Sequence, residues 1–327
     1  MIKLDVTEDV FALKDVFTIS RGSRTHARVV TVKLTDGDLM GWGECVPYAR
    51  YGETVEGVIA EIRHLADAIA SGNIDRQSLQ ERLPAGAARN ALDCAFWDLE
   101  AKRAGRPVHE LAGLPAPTAL QTAYTLSLAE PETMRRKAEE HAARPLLKLK
   151  LGGENDIARL EAVRAGAPLT TIIVDANEGW TTELYSDIAP YLLKLGVAMV
   201  EQPLPAGQDA MLGEIERPLP VCADESCHDR ASLAELEGRY DMVNIKLDKT
   251  GGLTEALALR QAARQAGFTV MVGCMVGSSL AMAPALLVAQ GAELVDLDGP
   301  LLLAEDREHA MHYEGSMVRP APPALWG

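Results

Sequence analysis

From residue 119 to residue 300 the chain repeats one pattern, a short apolar run followed by a stretch with helical spacing. The runs are TAYTLSL, LLKLKLG, TIIVDANEG, AMVEQPL, VCADES, MVNIKLDK, TVMVGC and LVDLDGP. Between them lie stretches such as IARLEAVRAG and LTEALALRQAARQAG. Strands alternating with helices call for a parallel sheet, and eight of them predict a closed (β/α) barrel. The spacing agrees. Lys150, Asp175, Glu201, Asp224 and Lys246 follow one another at 25, 26, 23 and 22 residues, and two more units of 25 lead to Asp296.

The region before residue 118 has a different texture. VFALKDVF, RVVTVKLTDG and MGWGE alternate as antiparallel strands do, with a turn at Asp36-Gly37. Helical patterns follow over 55–70 and 87–104. The second places Leu92, Ala95, Phe96 and Leu99 on one stripe and stops at Gly105, with Pro107 beyond. Strands then helices make an α+β unit. The Pro-rich GLPAPT separates it from the barrel, so the expected domains are 1–117 and 118–300, with 301–327 returning to the first.

Strands buried in a parallel barrel should be hydrophobic throughout. Here they end in charge: Lys148 and Lys150, Asp175, Glu201, Asp224, Lys246, Asp296 and Asp298. Barrel active sites lie at the C-terminal strand ends, so eight ionisable groups converge on one mouth. Any one acid there could cap the next helix. Three on successive strands, Asp175, Glu201 and Asp224, repel one another unless a cation neutralises them. An all-oxygen set without His or Cys suits Mg²⁺, with Mn²⁺ as the alternative.

Lys148 and Lys150 share a face, roughly 6–7 Å apart along the strand. A like charge nearby makes one of them easier to deprotonate, and a neutral lysine is a general base. Lys246 stands four strands away, across the mouth. A base on each face of one carbon is what inversion of a stereocentre requires. Lys249 is off this register by three and is expected to be an outward or loop residue. The site therefore reads as metal-assisted abstraction of a proton alpha to a carboxylate, through an enediolate.

These residues resemble the enolase superfamily, muconate-lactonising-enzyme subgroup. KLKLG, IIVDANEGW, VEQPL, CADES and NIKLDKTGG carry the likeness, which covers nearly the whole chain. Within it, ISRGSR, PYARYGET, ARNALDCAFWDLEAK and VDLDGP are similar to dipeptide epimerases of the L-Ala-D/L-Glu type. The resemblance implies a modified (β/α)8-type barrel, (β/α)7β, under an N-terminal α+β cap. It also implies Mg²⁺, two lysine bases as that superfamily uses them, and a role for Lys148 in positioning the metal-bound carboxylate. The implied reaction is epimerisation of the C-terminal residue of a dipeptide, L-Ala-L-Glu to L-Ala-D-Glu, in peptidoglycan peptide recycling. One departure is Gly277, where many subgroup members carry Glu after the seventh strand.

Charge bookkeeping extends the reading. A dipeptide ending in glutamate has one ammonium and two carboxylates. The metal takes the alpha-carboxylate, Asp296 and Asp298 suit the ammonium, and Arg24 offers a bidentate fork to the side chain. By resemblance, the Arg24 loop and the Tyr51-Gly52-Glu53 loop close over the mouth. Glu53 itself reads as a helix N-terminal acid and Trp180 as barrel-rim packing.

Other functions fit less of the pattern. N-acylamino-acid racemases and o-succinylbenzoate synthases share the metal and lysines but have no use for an ammonium-holding D-x-D pair. An aldolase-like Schiff base on Lys246 or Lys150 needs no acid trio. A non-catalytic metal-binding protein leaves the opposed lysines without a role. No Walker A loop, GxGxxG or GxSxG is present. Acids outnumber bases 47 to 32, and a charge of −15 repels nucleic acid and anionic membranes. No apolar run reaches membrane-spanning length, the first residues carry charges throughout, and five scattered cysteines suit reduced thiols. The expected setting is cytoplasmic, with a small-molecule partner and a homo-oligomer left open.

Overall fold

A computed structural model describes residues 1–327. The chain opens with an antiparallel meander, β1 (Lys3–Ile19), β2 (Gly22–Asp36) and β3 (Leu39–Cys45). Helix Ala87–Ala104 lies across one face of it. Val30, Val32 and Leu34 meet Ala91, Leu92, Ala95 and Leu99 there in a buried cluster. The approach is closest at Gly41 and Gly43, alternate residues of MGWGE. A Cβ at either would collide with the helix backbone, at Ala95 O and Ala91 O respectively. The helix ends where expected, at Gly105 with φ +61°. The predicted 55–70 helix is interrupted. Leu65 N–H bonds back to Ile62 O at 3.1 Å, a tightened turn that divides Val55–His64 from Ala66–Ala70.

Next comes β4 (Leu120–Gln121), followed by eight parallel strands: β5 (Tyr124–Leu126), β6 (Leu146–Lys150), β7 (Thr171–Asp175), β8 (Val197–Glu201), β9 (Val221–Ala223), β10 (Met242–Ile245), β11 (Thr269–Gly273) and β12 (Leu294–Asp296). They lie in sequence order around one sheet. Its two ends meet: Ala123 N–H donates to Val295 O at 2.8 Å, and Leu297 N–H to Thr122 Oγ1 at 2.8 Å. The eight-stranded barrel read from the sequence is the fold found. After β12 only the short helix Gly299–Leu302 follows. The remaining chain forms the hairpin β13 (Tyr313–Glu314) and β14 (Met317–Val318), and β14 pairs with β4.

Period-two alternation sorts the barrel residues. Leu147, Leu149, Ile172 and Val174 join the large core between strands and helices. Leu146, Ile173, Met199, Cys222, Met242 and Met271 fill the barrel floor with Ala123. One alternation further along the same inward rows stand Lys148, Asp175, Glu201, Asp224, Asn244 and Asp296, all buried. A sealed apolar floor therefore lies directly beneath a charged ring.

Candidate active site

Asp175 and Glu201 are the last residues of β7 and β8, and Asp224 follows β9 directly. All three are buried, and one carboxylate oxygen from each lies within 4.8 Å of the others. Burial of three carboxylates at that separation is unfavourable without cations. Lysines supply part of the charge. Lys148 Nζ lies 2.7 Å from Glu201 Oε2, 3.3 Å from Asp175 Oδ2 and 2.8 Å from Asp296 Oδ2. Lys150 Nζ donates to Asp175 Oδ2 at 2.5 Å, and Lys246 Nζ to Asp224 Oδ2 at 2.6 Å. Lys150 on β6 and Lys246 after β10 stand four strands apart in the ring, with the three carboxylates on the strands between.

Lys249 corrects the outward placement expected of it. The chain turns after Lys246 into the single helical turn Leu247–Thr250, which folds residue 249 back inward. Its ammonium is buried, donating to Asp224 Oδ1 at 2.6 Å and to Asn244 O at 2.9 Å.

The electrostatics divide the trio. Burial raises the pKa of Asp175, but Lys150 and Lys148 outweigh it and hold the carboxyl at about 2. Burial and the neighbouring Asp175 push Glu201 up to about 7. Burial opposes ionisation of Asp224 as well, yet Lys246 and Lys249 keep it well below the carboxylate range. Lys148 and Lys246 are held above the ordinary ammonium range by the acids around them, against the effect of burial. The donor set fits a hard divalent cation. It consists of buried carboxylate oxygens, one from each of three adjoining strands and all within 4.8 Å of one another.

Asp296 ends β12, and Asp298 precedes the Gly299–Leu302 turn. Asp298 Oδ2 accepts the Thr125 N–H across the seam at 2.6 Å. Burial and Asp296 raise its pKa to about 7. Asp296 Oδ1 is buried and unbonded.

The cap roofs this ring. Phe17, Ile19, Arg21, Arg24, Tyr48 and Tyr51 line a partly open pocket of about 50 Å³ above Lys150, Asp224 and Lys246. Arg24 meets ring faces, with its guanidinium 5.9 Å from Phe17 and 6.0 Å from Tyr48. Glu53 is a helix-terminal acid. It accepts the N–H of Ala87, the first residue of the 87–104 helix, at 2.7 Å. Trp180 is packed, 1% exposed, with its indole N–H on Asp156 at 2.8 Å. Beside Gly277 the cap's own Glu44 fills the space: a Cβ there would lie 3.0 Å from Glu44 Oε1. Glu44 is fixed by Ser278 N–H at 2.8 Å and Arg307 Nη2 at 2.7 Å.

Four polar residues of the site were not singled out from the sequence. Asn244 Nδ2 donates to Glu201 Oε1 at 2.8 Å. It lies two residues before Lys246, so the same alternation could have found it. Asn177 donates its backbone N–H to Asp175 Oδ1 at 2.9 Å. Glu225 binds Arg21 Nη2 at 2.7 Å. Arg21 also donates to Asn177 O at 2.7 Å and Tyr48 OH at 2.8 Å. These last three sit in loops, where period two gives no signal.

Two family models match the chain. Residues 1–113 match the N-terminal domain of mandelate racemase / muconate lactonizing enzyme, and residues 133–319 match the enolase C-terminal domain-like family. An L-Ala-D/L-Glu epimerase of Escherichia coli is 48% identical over 96% of this chain and 98% of its own. An N-acetyl-D-glutamate racemase of Pseudoalteromonas is 46% identical over 91% and 95%. An enolase family member from Agrobacterium tumefaciens, with homology to dipeptide epimerases and solved with sodium and L-Ala-L-Glu, is 56% identical. It superposes at TM-score 0.98 over all of both chains. A Cytophaga hutchinsonii dipeptide epimerase complexed with Mg and D-Ala-L-Val is 27% identical, with TM-score 0.90 over 99% and 95%.

Proposed function

The chain belongs to the mandelate racemase / muconate lactonizing enzyme family of the enolase superfamily, and from that premise we propose that it epimerises dipeptides. It is an isomerase that uses Mg²⁺ and inverts the C-terminal residue of a dipeptide, L-Ala-L-Glu and L-Ala-D-Glu being the favoured pair. The observation that carries the reading is the placement of Lys150 and Lys246 on opposed strands with three buried carboxylates between them.

Asp175, Glu201 and Asp224 would hold the cation. Bound there, it supplies countercharge to a carboxylate whose alpha proton is leaving. Each base now leans on one of those acids, Lys150 on Asp175 and Lys246 on Asp224. A carboxylate engaged with a cation no longer holds a neighbouring ammonium protonated, which frees a lysine to act as a base. One lysine takes the alpha proton, and the other returns a proton to the opposite face. Lys148, bound to Glu201 and Asp296, keeps its charge and positions the substrate carboxylate. Asp296 and Asp298 receive the substrate ammonium. Arg24, whose contacts here are aromatic faces, receives the side-chain carboxylate. Cap and barrel correspond to 1–117 with 301–327, and 118–300. Such dipeptides are fragments of peptidoglycan, and the role that suits the reaction is cell-wall peptide recycling. No helix is long and apolar enough to cross a membrane.

A second reading, racemisation of N-acylated glutamate, is favoured by the 46% identical relative and by the bonds that already occupy Asp296 and Asp298. L-Ala-L-Glu with Mg²⁺ in D₂O separates the two. Deuterium entering the glutamate alpha position with formation of L-Ala-D-Glu supports dipeptide epimerisation. No exchange with the free dipeptide, and turnover only of its acylated form, rejects it.

A further inference from the structure

The loop after β7 carries a carboxylate that proton transfer does not use. Glu178 has φ +65°, a left-handed conformation that residues with side chains rarely keep unless their surroundings impose it. Here the barrel imposes it. Glu178 N–H donates to Gln202 O at 2.9 Å, and its Oε1 accepts the Ala206 N–H at 2.8 Å. The carboxylate is thus fixed on the barrel before anything from the cap reaches it.

Two arginines from separate cap loops converge on it. Arg50, in the turn Ala49–Tyr51, binds with both prongs: Nε to Oε2 at 2.7 Å and Nη2 to Oε1 at 2.8 Å. Arg21, between β1 and β2, places Nη1 3.1 Å from Oε2. Glu178 is Arg50's one ion-pair partner. The Glu178 side chain is 8% exposed, so the pairs are better shielded from water than surface salt bridges are. Tyr48 and Tyr51 flank Arg50 in the second loop, and Arg24 stands on β2 three residues after Arg21.

We infer that Glu178 is the barrel's receptor for both cap loops, a positioning residue that fixes the roof, and Arg24 with it, over the bound dipeptide. The inference rests on the dipeptide-epimerase reading for its substrate, and on geometry alone for the docking of the loops.

Glu178→Gln keeps an oxygen for Ala206 N–H and removes the charge. Expected are a KM for L-Ala-L-Glu raised about tenfold, with kcat changed less than about threefold, because the lost contact positions ground state and transition state alike. Mg²⁺ affinity measured by calorimetry should stay within about twofold. Without substrate, trypsin should cut after Arg21, Arg24 and Arg50 at least about tenfold faster than in the native protein. Arg50→Gln reads the same link from the exposed side if Glu178→Gln folds poorly, and Arg50→Lys should restore part of the protection. In the double variant the effects should be less than additive. Unchanged trypsin resistance and unchanged KM in both single variants overturn the inference. Faster cleavage in a protein that turns over no dipeptide leaves the docking role standing and sinks the substrate reading instead.

Discussion

Lys148 and Asp296 stand 148 residues apart in the chain and 2.8 Å apart across the barrel seam. Lys148 also reaches Glu201 and Asp175, so one buried ammonium ties the expected metal ligands to the expected ammonium site. Loss of the Lys148 charge should therefore be felt at both. Lys148→Met is expected to tighten Mg²⁺ binding, because it removes a competing cation beside Glu201 and Asp175, while weakening dipeptide binding and slowing both directions of the reaction. Calorimetric titration of each ligand checks this; a change in one affinity with the other intact argues against the shared role.

Removal of metal should abolish turnover, and Mg²⁺ should restore it. Asp175→Asn, Glu201→Gln and Asp224→Asn should each lower kcat by a factor on the order of 10³ or more, since an uncompensated dianion costs several kcal/mol. Full activity in excess EDTA would exclude the metal role.

The two bases predict opposite isotope patterns. With Lys150→Ala, epimerisation should vanish while one epimer still exchanges its alpha proton in D₂O through Lys246. With Lys246→Ala, the other epimer should exchange. If each variant retains metal and substrate binding but neither exchanges with either epimer, the two-base mechanism fails.

Asp296 and Asp298 predict a penalty for blocking the substrate amine. A charge-assisted bond is worth roughly 1.5–3 kcal/mol, so N-acetyl-L-Ala-L-Glu should be poorer by about 10–100-fold in kcat/KM. The penalty should shrink in Asp296→Asn and Asp298→Asn. Equal use of free and acetylated dipeptides by the native enzyme would favour the N-acyl racemase reading.

A pH effect on stability follows from Asp248, which joins the barrel to the cap. Its Oδ1 accepts the Val46 N–H and Asn90 Nδ2, each at 2.9 Å. Burial raises its pKa to about 7 from 3.8. Between those values the folded state keeps a proton the unfolded state has lost, so this group's contribution falls as pH rises and is flat above about 7. Asp248→Asn removes the effect. Its stability curve should diverge from the native one between pH 4 and 7, by at most ~1.4 kcal/mol per pH unit. Parallel curves in denaturant titrations would refute the assignment.

Alternation along strands made much of this site legible. Lys148, Asp175 and Glu201 could be placed because an inward row keeps its phase until the strand ends. Lys249 was misread because one helical turn resets that phase. Glu225 and Asn177 lie just beyond strand ends, where no periodicity applies. The Lys148–Asp296 bond was not legible either. Sequence spacing fixes which wall a side chain stands on, while its partner depends on how the ring closes. The break at Leu65 is a local hydrogen-bond shift that no apolar pattern records.

The pocket under Tyr48 and Tyr51, at about 50 Å³, has room for a few waters as its side chains now stand. Admitting and releasing a dipeptide would then require these roof side chains to move. In a reversible inversion this changes what leaves the enzyme. Where that movement is slower than proton transfer, a trapped molecule changes hands several times before escape, and the outflow is a mixture already near its internal balance. Deuterium would then be found in recovered starting epimer at the earliest times. Thickening the solvent with sucrose would slow release and enrich that label.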